Sequence, residues 1–301
     1  MYHLATVELR YLQDQIMNRQ DFRFFHPLRV RWVEVDMQKI VFNAHYLMYF
    51  DTALTDYWRV LSLPYEEAMQ LLDGDLYVKK ASIEYHGSAQ FDDRLEVALR
   101  CERVGKSSIV FSGAIFRAEK LLVTCELIYV FADPVTQKSK PVPDALRNLL
   151  FGYEGGQPTF HVKTGNWAEL GKDAAVVRTE VFVHEQNIPV ALEWDAADQT
   201  ALHAVAYNAV GQPVGTARLL TEVANEAKVG RMAVKRVLRG NRIGDELLKI
   251  LMSSARQRGH VELVLHAQCS AQAFYARAGF VVRGAPFLEV DIPHVEMFAA
   301  L

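Results

Sequence analysis

Cysteine is scarce in this 301-residue chain: only Cys101, Cys125 and Cys269, far apart in sequence. No CxxC and no Cys/His spacing typical of a metal site occurs, so neither a disulfide framework nor a bound metal is expected. All three lie in apolar or strand-like surroundings and read as buried thiols, which suits the reducing cytoplasm. No apolar run approaches the roughly 20 residues that span a bilayer. The first stretch, MYHLATVELRYLQDQIMNRQ, scatters charge and has no hydrophobic h-region, so no signal peptide is expected. An excess of one charge is missing too. With 33 Lys and Arg against 36 Asp and Glu, the net charge is −3, and no electrostatic case exists for nucleic acid or an anionic membrane. Internal repeats and low-complexity segments are absent.

What remains is ordinary globular composition, 50% hydrophobic and 23% charged, in a chain long enough for two cores. Residues 3–20 have a helical pattern, with Ala5, Leu9, Leu12 and Ile16 on one side. Pro27 introduces a strand over residues 28–35. Leu47, Phe50, Leu54, Trp58 and Leu61 then keep the i, i+3/i+4 rhythm of a long helix, and a shorter one starts at Pro64. Residues 95–103, 107–117 and 121–132 predict a meander with breaks at Gly105-Lys106 and Glu119-Lys120. This first half is an α+β unit. Prolines and glycines gather over 133–165, where a short helix near 143–151 and a linker at about 150–160 are expected. The second half predicts a helix at 173–186, strands at 201–208, 213–221 and 227–235, a helix from Arg242 to about Arg258, a strand at 261–266, a short helix at 271–278 and a final strand pair. That order implies a mixed α/β sheet.

Asp36 stands at a strand end, shortly before the long helix, with Asn43 and His45 near that helix's first turn. Free N–H groups at a helix N-terminus can stabilise an oxyanion, and a carboxylate can act as base or nucleophile on a thioester. Taken alone, Asp36 is equally a turn or helix cap, Asn43 an N-cap and His45 a surface histidine. Glu84-Tyr85-His86 reads as an ordinary strand face. The segment Asp36–Tyr46, with its Ile-Val-Phe and polar-Ala-polar-Tyr steps, resembles the 4-hydroxybenzoyl-CoA thioesterase branch of the hotdog superfamily over about residues 25–150. The resemblance implies a catalytic role for Asp36 and oxyanion or pocket roles for Asn43 and His45. It departs at Lys39, where glycine is usual, and at Asn43 and His45, where histidine and asparagine are usual. It also implies a homo-oligomer, a homodimer or homotetramer, with the active site built across subunits.

The second constellation is Arg239-Gly240-Asn241-Arg242-Ile243-Gly244, which leads from a strand ending near Val234 into a helix. Glycines let backbone N–H groups approach a pyrophosphate, and the helix N-terminus favours the anion. With the later Phe274-Tyr275 and Gly279-Phe280, this stretch resembles the acetyl-CoA core of GNAT acyltransferases over residues 165–301. There the resemblance implies acetyl-CoA or acyl-CoA as substrate. Met232 to Val234 would offer main-chain groups to the pantetheine arm, and Tyr275 would protonate the departing thiolate. Arg242 departs from the usual motif glycine. Glu185, Gln186, Glu193, Asp195 and His294 are candidates on the side of an amine acceptor, and Trp194 is expected to be a packing anchor.

The expectation is therefore a hotdog thioesterase-like domain over 1–152 and a GNAT acetyltransferase-like domain over 160–301. The alternative is a hotdog unit that only senses acyl-CoA or dimerises, attached to an active acetyltransferase. Residues 1–24 offer a single helix, so a DNA-binding sensor is not expected.

Overall fold

The computed structural model describes residues 17–223 and 225–301. Most of the helix expected at 3–20 lies outside the described residues; at its end Met17 and Asn18 are coil and Arg19–Asp21 is a 3₁₀ turn. The chain divides into two compact units with the main break between Gln157 and Pro158.

The first unit is a five-stranded antiparallel sheet in the order β1-β3-β4-β5-β2. Its strands are β1 (Phe24–Arg29), β2 (Asp75–Tyr85), β3 (Arg94–Val104), β4 (Ser108–Arg117) and β5 (Lys120–Ala132). Helix α1 (Asn43–Val60) buries Tyr46, Tyr49, Phe50, Ala53, Leu54, Tyr57 and Trp58. The Tyr57 ring meets Phe24 and Phe111 edge-on at 5.4 and 5.6 Å. Each such side chain is worth about 1.5–3 kcal/mol of burial. Helix and sheet approach tightly at Gly113, where a Cβ would lie 2.5 Å from the Phe50 ring. Two further helices follow, α2 (Tyr65–Leu71) and α3 (Asp144–Glu154).

β1 occupies residues 24–29 rather than 28–35, and residues 32–34 form a 3₁₀ turn instead. Pro27 sits inside β1 without cost because β1 is an edge strand, where one row of N–H groups faces outward. α3 runs on to Glu154, which accepts hydrogen bonds from the Tyr57 hydroxyl (2.5 Å) and the Cys101 N–H (2.8 Å). The segment expected as linker therefore starts as helix.

The second unit is a seven-stranded sheet in the order β11-β12-β10-β9-β8-β7-β6. Its strands are β6 (Phe160–Gly165), β7 (Leu202–Asn208), β8 (Pro213–Val223), β9 (Glu226–Val234), β10 (Glu262–Gln268), β11 (Val281–Glu289) and β12 (Ile292–Ala300). β6 was not anticipated: only six residues long, it alternates exposed and half-buried side chains. Helix α4 (Trp167–Arg178) covers one face, packing on Val205 and Tyr207. It starts at Trp167, six residues before the expected 173, behind the N-cap Asn166, whose side chain and that of Glu169 form a capping box. A π-helical segment, Thr179–Glu185, extends it, followed by the one-turn α5 (Val190–Glu193). Helix α6 (Ile243–Gln257) covers the other face through Ile243, Leu247, Leu248, Leu251 and Ala255. α7 (Gln272–Arg277) follows β10.

Two details shape the centre of this sheet. β9 and β10 are the parallel neighbours, paired only from Glu226–Val229 against Glu262–Leu265. Beyond that the strands part, although both continue. β9 also carries a bulge: Arg218 and Thr216 of β8 pair with Gly230 and Ala233, so Arg231 and Met232 oppose the single residue Ala217. Arg231 takes a positive φ of 50° there.

Candidate functional site

In the first unit the residues around Asp36 form a tied turn. Asp36 N–H donates to Ile40 O and Lys39 N–H to Asp36 O, both at 2.9 Å, and Val35 bridges Val41. Lys39 holds φ 63°, the left-handed region that favours glycine, which is why the resembling family places glycine there. The Asp36 carboxylate is half-exposed and accepts the Gln38 N–H at 2.8 Å. The turn is anchored by a residue that sequence reading missed. Glu34 is buried, its carbonyl accepts the Phe42 N–H, and its carboxylate accepts from Arg31 and the Tyr49 hydroxyl of α1. Burial pushes the Glu34 carboxyl up, but these donors outweigh it and hold it below the usual range.

The N-cap residue of α1 is Phe42, not Asn43, and it makes no side-chain cap. Asn43 is its first residue and exposed. His45 is half-buried, edge-on to Phe42 at 6.1 Å, and its Nδ1 is enclosed without a partner among the described residues. Tyr85 donates to the Asn43 carbonyl at 3.3 Å. His86, expected on a strand face, lies one residue past the end of β2 in a bend, where its Nε2 is 2.9 Å from the Thr124 hydroxyl.

In the second unit a cleft of about 620 Å³ opens where β9 and β10 part. Gln186, Glu193, Asp195, Met232, Val234, Arg239, Tyr275 and His294 line it. Tyr275 is buried, its hydroxyl 3.5 Å from the Met232 sulfur, and burial pushes its phenol up to about 12. The turn toward α6 has Gly240 at φ 91° and Arg242, the N-cap, at φ 63° with no side-chain cap. Ile243 is a core residue and has only main-chain atoms to offer a ligand. A Cβ on Gly244 would touch Phe274 at 3.4 Å and Met232 at 3.7 Å. Arg239 donates to Val234 O and forms a two-pronged ion pair with Glu185. Asn241 N–H donates to Leu238 O, within the same turn.

The acceptor-side candidates have mixed surroundings. Gln186 accepts from Gln268 at 2.9 Å, and His294 Nδ1 lies 2.8 Å from Ile292 O. Glu193 belongs to a buried ionic network. Arg178 reaches Glu193 at 2.6 Å and Asp198 at 2.8 Å, while Arg218 bridges Asp195 and Asp198. Burial lifts the Glu193 carboxyl above the usual range against the pull of Arg178 and Arg231. Trp194 packs on the Arg178 guanidinium at 4.5 Å. Sequence reading missed Arg178, Arg218, Lys228, Arg231, His266 and Gln268; alternation along β10 was the one available signal, since it puts His266 and Gln268 on the same face. Cys101 and Cys125 are buried, but Cys269 is exposed, because it opens a 3₁₀ turn just past the end of β10.

Comparison with known proteins decides the family. The acetyltransferase (GNAT) domain model matches residues 168–301. The chain is 35% identical over 127 residues to YjcF of Bacillus subtilis, an uncharacterized N-acetyltransferase, covering 42% of this chain and 89% of that protein. The chain belongs to the GNAT acetyltransferase family. Residues 38–124 match the thioesterase superfamily. Over 131 residues the chain is 28% identical to the acyl-CoA thioester hydrolase YbgC of Escherichia coli, covering 43% of this chain and 96% of that one. A solved acyl-CoA N-acyltransferase from Pseudomonas aeruginosa is 30% identical, covering 47% of this chain and 99% of that chain, with a TM-score of 0.43. This GNAT protein thus carries a hotdog thioesterase-superfamily domain in its first half, and it is an enzyme of two acyl-CoA families.

Proposed function

We propose that the chain hydrolyses an acyl-CoA thioester in its first unit and transfers an acyl group from acetyl-CoA to an amine in its second. The carrying observation is the cleft at the β9/β10 fork, lined by the bulged strand, Arg239 and a buried tyrosine, with the start of α6 next to its Met232 wall. CoA diphosphate binds the N–H groups at the start of α6 with Arg239, Gly240, Asn241, Arg242 and Gly244 around it. The pantetheine arm runs along the main chain of Met232 to Val234. Tyr275, neutral at pH 7, protonates the leaving thiolate.

In the first unit Asp36 acts as base or nucleophile, and the uncapped start of α1 at Asn43 receives the oxyanion, with His45 beside it. Two features support completion of this site by a second copy of the chain. β2 is an edge strand, paired among the described residues only with β5. Trp32, Met37, Phe42 and Met48, around Asp36 and the start of α1, are large and exposed. A homodimer, or a homotetramer of two such pairs, is the assembly this favours.

The test is calorimetric titration of the full chain with CoA. Two sites per chain are expected. Gly244→Trp, which drives an indole into Phe274 and Met232, should leave one. A single site that survives this substitution would contradict the placement of CoA in the second unit.

A further inference from the structure

We infer that His266, held by Glu289, is the proton acceptor for the amine in the second unit's cleft. This rests on the transferase reading above and adds a residue to it.

The position comes first. Leu265 is the last β10 residue paired with β9, so His266 is the first residue past the fork. Opposite it, Gly230 carries no side chain, and the β9 bulge begins at the next residue. With the pantetheine arm along Met232 to Val234 as proposed above, an acetyl thioester would reach toward this level of the cleft. His266 faces the cleft together with Gln268, two residues on, while Leu263, Leu265 and Ala267 point into the core under α6.

The chemistry comes second. His266 Nδ1 lies 3.1 Å from Glu289 Oε2, and Nε2 lies 3.3 Å from Lys228 Nζ. An ammonium only donates, so Nε2 carries the lone pair and Nδ1 carries the proton toward Glu289. The Lys228 contact shows that Nε2 can face an alkylammonium. Glu296 stands 3.9 Å from Nε2 on the neighbouring strand. The ring is fixed edge-on against Phe287 at 4.9 Å, and Phe287 stacks on His294 at 6.2 Å. Glu289 is the positioning residue: it ends β11 at the two-residue turn Val290-Asp291, where both residues have positive φ.

The step balances as follows. The acceptor ammonium gives its first proton to Nε2. The freed lone pair forms the N–C bond, the C–S pair leaves on sulfur, and Tyr275 gives sulfur a proton. The phenolate takes the second proton from nitrogen, and His266 returns its proton to water. Amide and CoA thiol are formed, with one proton released.

The experiment measures CoA thiol release from acetyl-CoA with ethylamine, spermidine and hydroxylamine as acceptor probes at pH 7. Hydroxylamine is largely neutral there and needs no proton removed before it attacks. His266→Gln should lower kcat/KM for ethylamine and spermidine by about 100-fold, the usual contribution of a general base, and leave hydroxylamine transfer and the KM for acetyl-CoA unchanged. Glu289→Gln should show the same contrast to a smaller degree. Equal losses for all three probes would mean a structural role, and no loss would mean a bystander; either overturns the inference. Failure of the transferase reading looks different, since the wild type itself would then release no extra thiol with any probe.

Discussion

Both terminal nitrogens of Arg239 lie 2.7 Å from the two carboxylate oxygens of Glu185. Arg239 belongs to the turn proposed above to receive the CoA diphosphate, and Glu185 ends the π-helical segment. Phosphate and carboxylate compete for one planar guanidinium. Glu185→Gln should therefore tighten CoA binding by roughly fivefold, the equivalent of about 1 kcal/mol for an exposed ion pair. Calorimetry on an Arg239→Gln background checks it, because there the Glu185 substitution should change nothing.

The two glycine departures from the family patterns, Lys39 and Arg242, have the same backbone conformation, φ 63° in each case. A left-handed non-glycine residue costs roughly 1–2 kcal/mol. Lys39→Gly should stabilise the protein by about 1 kcal/mol in denaturant unfolding, after allowance for the flexibility gained by the unfolded chain. Arg242→Gly should stabilise similarly but weaken CoA binding, since it also removes a charge beside the diphosphate.

Arg178 is the largest fully buried side chain, and it holds two carboxylates. Arg178→Met leaves Glu193 and Asp198 buried without it and should cost about 3–5 kcal/mol. The pH dependence follows from Asp198. Burial pushes its carboxyl up, but Arg178 and Arg218 outweigh this and hold it below the usual range. A depressed carboxylate contributes stability that is fully present above its unfolded pKa of about 3.9 and is lost as pH falls through the folded value. Asp198→Asn should accordingly be less stable than wild type at pH 7, with the gap closing below pH 4, as read from urea midpoints across that range.

Much of the fold was readable because it rests on local period. The i, i+3/i+4 rhythm of Leu47 to Leu61 and the alternation over 95–103 marked α1 and β3 closely. β6 escaped because it is only six residues long and buries none of them fully, and Pro27 misled because its tolerance depends on β1 being an edge strand among the described residues. The site residues named from motif were those close together in sequence, such as Arg239 to Gly244. His266, Glu289 and Lys228 come from three strands and meet only through sheet pairing, so no spacing announces them. That Arg178, fifteen residues before Glu193, is bonded to it is equally invisible in the sequence.

The central claim is that one chain carries two separate acyl-CoA chemistries. The most direct measurement assays the 301-residue chain for both thiol release from an acyl-CoA panel in water and amine-dependent release from acetyl-CoA, using Asp36→Asn and Tyr275→Phe. Asp36→Asn should lower hydrolysis by at least about 100-fold and leave amine transfer intact, while Tyr275→Phe should impair transfer and leave hydrolysis intact. Loss of both activities in either variant, or full hydrolysis by Asp36→Asn, would contradict the account.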